Sequence, residues 1–523
     1  MKFTKILCLI LCFTFLVTPL WSCDNGSGNG GGNGDGGGFN DDGSVNWEGV
    51  NFEGATVKVG ISSTKESGGT FKPAKDYLMG PDKASTDEVL KKVVQRNNKV
   101  NDIGLAVQYM LIDAGDYPGV QEDITTRIMA GPKGNSPDVY TNDLRAFTFA
   151  LLEGQLKNVA TPTDDNGREL TSYFDFTKDC WYYDYMKEFT FDTSKIYVLA
   201  GDYHIDMIRA AQVMFINKEM FESNVAKFKK AGLNFNNISD FYKYVDVGDW
   251  DYDMLIAFSK AVFVDDGKEA KITDLNDSAI GYASNIRLYF NFIPSTGMNT
   301  FYMNEDGEPQ FVDPAYLNEL EKMGEKLRGI WSYGDGNKNP GLYHQDDLDC
   351  VANFMKGGVL FVSGMLGEME SEQFRDTGFT KGVVTTPKFD RKAQDDYHTM
   401  VEAFGEISAI LRTAPSFTRA SAYLQYINEQ SKSVLTEYYE KSLKFKYSED
   451  RAIADMIDLV YETIDSPFEI WFETVIQSYA GIASTMNLHF AIARNELGAF
   501  YTGNQDSYRA GLKKVLDQFA TVP

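Results

Sequence analysis

Cysteine and histidine are scarce in this chain of 523 residues, which has five of the first and four of the second. Cys8, Cys12 and Cys23 lie at the N-terminal end, so the rest of the chain holds only Cys180 and Cys350. Two thiols exclude a disulfide scaffold at this length, although a single bridge between them stays open. His204, His344, His398 and His489 are scattered and no CxxC occurs, so no metal centre is expected. There is no HExxH, GxSxG or P-loop, which leaves no signature of an enzyme and no expected cofactor. Positive charge is also short: 50 Lys and Arg stand against 75 Asp and Glu, a net charge of −25. That balance excludes nucleic acid as a partner attracted by charge. Only one long apolar run occurs, Ile6 to Val17, and it falls short of the about 20 residues a membrane-spanning helix needs.

The two basic residues ahead of that run, Lys2 and Lys5, and the small Ser22 behind it give the pattern of an exported chain, with residues 1–22 as signal peptide. Leu20-Trp21-Ser22-Cys23 resembles the lipobox of bacterial lipoproteins, though Trp21 is bulkier than usual there. The resemblance implies cleavage after Ser22, a lipid on Cys23 and an extracytoplasmic body held at the cell membrane. Residues 23–46 are mostly Gly, Asn, Asp and Ser. They have almost nothing apolar to bury, and so are expected to be a disordered tether. Loss of Lys2 and Lys5 takes the charge from −25 to −27.

From 47 onward the chain is too long for one ordinary core and points to two lobes. Ala55–Ile61, Leu105–Ile112 and Pro137–Tyr140 read as strands. A helix opened by a capping box at Ser85–Glu88 and helices at Val120–Met129 and Leu144–Leu152 separate or follow them. The order β-α-β-α-β predicts parallel strands covered by helices. Further strands are expected at Gln212–Ile216, Ser278–Ala283, Val359–Val362 and Val383–Thr385, with a helix over Pro314–Arg328 and helical chain from Arg419 onward.

Lys195–Asp202 followed by Val213–Lys218, then Asn353–Gly364, then Thr386–Lys388 with Glu406–Ile410, resemble in order and spacing the three interlobe crossings of type II periplasmic binding proteins. Tyr438–Tyr447 and Asp450–Asp458 resemble the helical end of long carbohydrate-binding lipoproteins of bacterial ABC importers. The resemblance spans nearly the whole mature chain. It implies an α/β, two-lobed type II fold with the ligand cleft between the lobes and a helical C-terminal extension. Lobe 1 is then 47–209 with 364–412, and lobe 2 is 210–363 with 413–523. It also implies a carbohydrate ligand, an ABC permease as partner, and a carrier rather than an enzyme.

Sugars are held by aromatic faces and by Asp, Glu, Asn and Arg hydrogen bonds. Tyr140, Asp143 and Arg145 follow an expected strand, at the mouth of an α/β lobe, where helix capping by Asn142 or Asp143 competes. Trp181, Asp202 and Tyr203 form an aromatic and acidic cluster for which a lobe interface is the alternative. Tyr289 is a further candidate. Trp471 stands where the resemblance puts a stacking ring, with a core position on an amphipathic helix as its rival. A same-fold carrier of iron or another anion, invited by Tyr182-Tyr183, a sensory or adhesive protein, and a glycoside-acting enzyme stay open as alternatives.

The lipobox generates the first prediction. Cys23→Ala should release the exported protein from membranes, because no other anchor is expected. Cell fractionation checks it, and a variant that stays in the membrane fraction excludes the lipid at this position.

Overall fold

The computed structural model describes residues 39–523 apart from 41–43, 63–73, 116, 132–134, 188, 193, 264–279, 286–296, 298–300, 305–308, 313–316, 331–340, 345–350, 352–353, 402–404, 448–450, 466–487, 489–490 and 493. Among the described residues no helix is long and apolar enough to cross a membrane.

The first sheet grows from β1 (Ala55–Ser62), β2 (Leu105–Ile112) and β3 (Val139–Asp143), which run parallel as their helical connections require. Val57, Val59 and Ile61 of β1 are fully buried, as a central parallel strand demands. The helix Glu88–Asn98 starts two residues later than the capping box implied. Asp87, not Ser85, is the cap, and its carboxylate accepts the Val89 and Leu90 N–H groups while Ser85 accepts from Asp87 N–H. β4 (Val198–Leu199) and β13 (Glu406–Ala409) complete the sheet in the order β2-β1-β3-β13-β4. β13 runs antiparallel to both neighbours.

The second sheet has the order β11-β5-β10-β6-β9, from β5 (Gln212–Asn217), β6 (Ile280–Asn285), β9 (Gly341–His344), β10 (Val359–Met365) and β11 (Lys381–Val384). Here β10, β6 and β9 are parallel while β5 opposes β10 and β11. Segment 364–412, expected in lobe 1, therefore divides: Lys381–Val384 pairs in the second sheet and Glu406–Ala409 in the first. Much of the aromatic content is the core of this second unit. Phe221, Phe228, Phe241, Phe258 and Phe361 surround the fully buried Trp250, whose Nε1 donates to the Thr385 carbonyl at 3.0 Å. The helix Tyr252–Val262 lies so close on β6 that a Cβ at Gly281 would sit 2.0 Å from the Ser259 Cα.

The helical end does not belong to one lobe. The helix Phe417–Gln430 packs on the first unit, against β1 and the helix Glu88–Asn98. A π-helical stretch, Glu437–Tyr447, leads across to the helix Arg451–Glu462, which packs on β11 and the helix Ile238–Asp246 of the second unit. The expected tether ends earlier than residue 46. Phe39 bridges Val45 and stacks on Tyr173 at 5.5 Å, and Trp47 stacks on the same ring at 5.7 Å. These few apolar side chains find a seat on lobe 1.

Trp250→Ala should remove about 3–5 kcal/mol of stability, since it empties the ring cluster and orphans the Thr385 carbonyl. Denaturant unfolding measures it, and a loss within the surface-substitution range would take Trp250 out of the core.

Candidate functional site

The two sheets are joined where strands end, and the connecting segments converge on one buried charge. The first crossing leaves β4 at Leu199 and turns at Gly201. A side chain is excluded there, because a Cβ would lie 2.3 Å from the Cys180 carbonyl and 2.5 Å from Asn428 Oδ1. It continues through one helical turn, Asp206–Arg209, into β5. The 3-10 turn Leu366–Glu370 after β10, on the way to β11 of the same sheet, is pinned to this crossing by Leu366 N–H on the Ala211 carbonyl. The second crossing runs from β11 into β13 at Glu406, whose N–H donates to Asp206 Oδ2.

Arg209 lies between them with no side-chain exposure. Its Nε is 2.8 Å from Glu370 Oε1, its Nη2 3.3 Å from Oε2, and its Nη1 2.5 Å from Asp206 Oδ1. Glu370 also accepts from Tyr77 at 3.1 Å and Tyr438 at 2.6 Å. The guanidinium lies 4.4 Å from the Tyr77 ring centroid. Burial works to lower the Arg209 pKa, and the Glu370 and Asp206 carboxylates outweigh it, so the group is held protonated. Loss of either partner would leave a buried charge uncompensated. His204 is a tie of another kind. Its Nδ1 accepts Gly201 N–H and its Nε2 meets Ser408 at 2.8 Å. Burial and the nearby Arg96 depress its pKa to about 3, so the ring is neutral and links the first crossing to β13.

Beside this floor is a more open wall. The half-buried Asp202 carboxyl interacts electrostatically with the Tyr182 phenol, which is coupled in turn to the Tyr461 phenol. Tyr461 lies 5.1 Å from Tyr439, ring to ring, and Tyr439 donates to Asp458 at 2.6 Å. Lys444 pairs with Asp458 and covers the Tyr439 ring at 4.5 Å. Lobe 1 and the helical end thus meet in hydroxyls, carboxylates and partly exposed ring faces. Such a surface can hydrogen-bond and stack a polyol.

Of the residues read from sequence, Asp202 stands in this wall. Tyr140, Trp181 and Tyr203 do not: each is buried inside lobe 1 with its polar atom already engaged. Tyr140 donates to Asp123 at 2.8 Å, and Trp181 donates to Gln425 at 2.9 Å and packs on Phe174 and Phe176. Tyr203 accepts from Tyr423 at 3.1 Å and lies under Arg96. β3 runs on to residue 143, past the expected end at Tyr140, and so carries Tyr140 into the sheet. Asp143 pairs with Glu406 through the backbone, and Arg145 is half-buried at the start of the next helix. Tyr289, Trp471 and Cys23 lie outside the described residues, as does Cys350. Cys180 is a buried free thiol, and burial with the Asp202 charge pushes its pKa up to about 12. Sequence reading missed Arg209, Glu370, Tyr77 and Tyr438. The signal for the first two was a charge inside an apolar crossing, which calls for a buried partner. Among the described residues no three His, Cys, Asp or Glu side chains converge as a metal site.

No protein-family model and no curated protein matches the chain. Solved structures do. The galacto-N-biose/lacto-N-biose I-binding protein of an ABC transporter from Bifidobacterium longum, in complex with lacto-N-biose, matches 88% of this chain and 98% of its own at 12% identity and a TM-score of 0.52. The GacH receptor of Streptomyces glaucescens, solved unliganded and with acarbose, matches 89% and 99% at 12% identity and a TM-score of 0.48. UgpB of Mycobacterium tuberculosis with glycerophosphocholine matches 89% and 98% at 14% identity and 0.48. The first likeness gives the fold: an α/β chain of two lobes in the type II periplasmic-binding arrangement.

Burial raises the Asp202 pKa to about 6, against the lowering effect of Tyr182. A carboxyl raised on folding binds its proton more tightly in the native state, so its effect on stability becomes less favourable as pH rises from about 4 to about 6. Asp202→Asn should remove that slope. Melting curves of both proteins across this range check it, and a difference between them that does not change with pH excludes the shift.

Proposed function

We propose that this protein is an extracytoplasmic carrier that captures a carbohydrate between its lobes and delivers it to an ABC permease. The observation that carries the reading is the Asp202, Tyr182 and Tyr461 wall, half-buried at the junction of lobe 1 and the helical end. It sits in a fold built to rotate about its crossings. The similar Bifidobacterium longum structure holds lacto-N-biose, which supports a saccharide ligand. Asp143, Arg145, Tyr289 and Trp471 are proposed as further ligand contacts. The lobe boundary near 209, the passage from β11 to β13 and the helical end between 430 and 451 are proposed as the points about which it turns. The signal over 1–22, the lipid on Cys23 and the position on the outer face of the cell membrane complete the proposal.

The mechanism follows from the two surfaces. A ligand that touches both lobes is held better when they close, so it shifts an open–closed equilibrium by its differential affinity. The closed body then presents a shape the permease can distinguish. An iron carrier would want tyrosinate ligands, whereas burial and the Asp202 charge push the Tyr182 phenol well above its ordinary pKa.

The purified protein should bind an oligosaccharide and leave it chemically intact. Calorimetric titration over a saccharide panel, followed by product analysis after long incubation, checks both halves. Turnover that survives repurification would make the protein a hydrolase. Trp471→Ala should weaken binding by roughly tenfold, the loss of about 1–2 kcal/mol of ring stacking, with little change in melting temperature.

A further inference from the structure

The longest described helix, Leu497–Thr521, has 25 residues and so reaches about 37 Å at about 1.5 Å per residue. Its two ends are seated on different lobes. Along its first half, Phe500 and the fully buried Tyr508 place their rings 6.4 and 4.2 Å from that of Phe311 in β8 (Pro309–Phe311). The helix also touches the helix Leu317–Ile330, whose Arg328 donates to the Ile492 carbonyl at 2.7 Å. Leu317–Ile330 packs in turn on Tyr252–Val262, the helix that covers β6. This anchor belongs to lobe 2.

At the far end Phe519 is buried between Phe191 and Tyr197, at 5.3 and 6.0 Å, in lobe 1. Two side chains then hold main-chain carbonyls. Lys195 Nζ is 2.5 Å from the Val522 oxygen and Tyr197 Oη is 2.7 Å from that of Pro523. Gly154, just past the helix Leu144–Leu152, lies against Pro523. That helix begins at the crossing-side end of β3 and runs away from it, so the seat is on the part of lobe 1 remote from the crossings.

A straight helix fixed to both bodies cannot follow a rotation of one against the other. One seat must let go or the rotation must stop. The lobe 1 seat is the smaller, resting on the end of the helix, which packs on Leu144–Leu152, on the Phe519 ring and on two hydrogen bonds. We propose that Leu497–Thr521 is a strut between the lobes, and that release of its lobe 1 seat is required for them to rotate apart. It sets how readily the cleft opens, and rests on the reading that the lobes move.

The test needs no ligand, so its outcome is independent of whether the protein binds a saccharide. Spin labels are attached through ketone-bearing residues placed at Met129 on lobe 1 and Val247 on lobe 2, which are 83% and 68% exposed. Pulsed electron resonance then reads the distance between them. The full chain should give one narrow distribution. Deletion of residues 518–523, which removes Phe519 and both held carbonyls, should raise the longer-distance population several-fold. Lys195→Met with Tyr197→Phe removes only the hydrogen bonds and should do the same to a smaller extent. If circular dichroism shows the deletion unfolded, the double substitution alone decides. Distributions in a folded variant that match the full chain overturn the strut.

Discussion

The pairing of Arg209 with Glu370 and Asp206 is the constraint on which the rest is arranged. Glu370 gathers donors from the first crossing, from Tyr77 after β1 and from Tyr438 in the helical end. Asp206 adds the start of β13 through the Glu406 N–H. Every route between the lobes is therefore referred to one guanidinium. A buried ion pair of this kind adds little stability over an apolar cluster of the same shape, but it tolerates few alternative geometries. Hydrophobic packing alone would accept many relative placements of two sheets. Charges without water accept those in which each acceptor has its donor, and the crossings keep one arrangement.

The aromatic content divides along the same line. Trp250, Phe258 and Phe361 are ordinary core, and Tyr140 and Tyr203 are core with their hydroxyls engaged. The tyrosines at the junction are different, because they sit where lobe and helical end meet. Tyr438 and Tyr439 are neighbours in the π-helical stretch Glu437–Tyr447. The first reaches the floor at Glu370 and the second reaches the wall at Asp458. A π-helix turns each residue less than an α-helix does and is found where function needs a local change of register. Here adjacent side chains serve the fixed part of the junction and the part left half-open.

How much of this was legible in the sequence depended on range. β1, β2 and the helix after β3 were readable because apolar periodicity is local. β13 was not readable as an antiparallel insertion, since its partners are residues 140–143 and 198–199. The Asp87 cap was misplaced by two residues because Ser85 offers the same chemistry, and only backbone conformation separates them. At the site, Asp202 could be found as a carboxylate just past a strand end. Tyr140, Trp181 and Tyr203 could not be told from it, because an aromatic near a strand end looks alike whether a neighbour such as Gln425 or Tyr423 covers it or solvent does. Arg209 and Glu370 are 161 positions apart, and no local pattern joins them. Their charges in apolar surroundings were visible as an anomaly but not as a pair.

The division between floor and wall bears on how one fold can both hold its shape and move. The floor residues Arg209 and Asp206 lie on the first crossing and Glu370 on the turn pinned to it, at the axis of any rotation between lobes. Groups at an axis change their separations least, so the ion pair can persist through opening and closing. Tyr461 stands farther along the helical end, on a helix packed against lobe 2, while Asp202 and Tyr182 stand on lobe 1. Contacts between these two sets change with angle by more. The wall is therefore the place where a ligand gains most from closure, and its half-buried hydroxyls and carboxylates are those whose hydrogen bonds a polyol could replace. Stability is concentrated at the axis, where motion does not disturb it, and exchangeable polar contacts lie away from it, where motion can be coupled to binding.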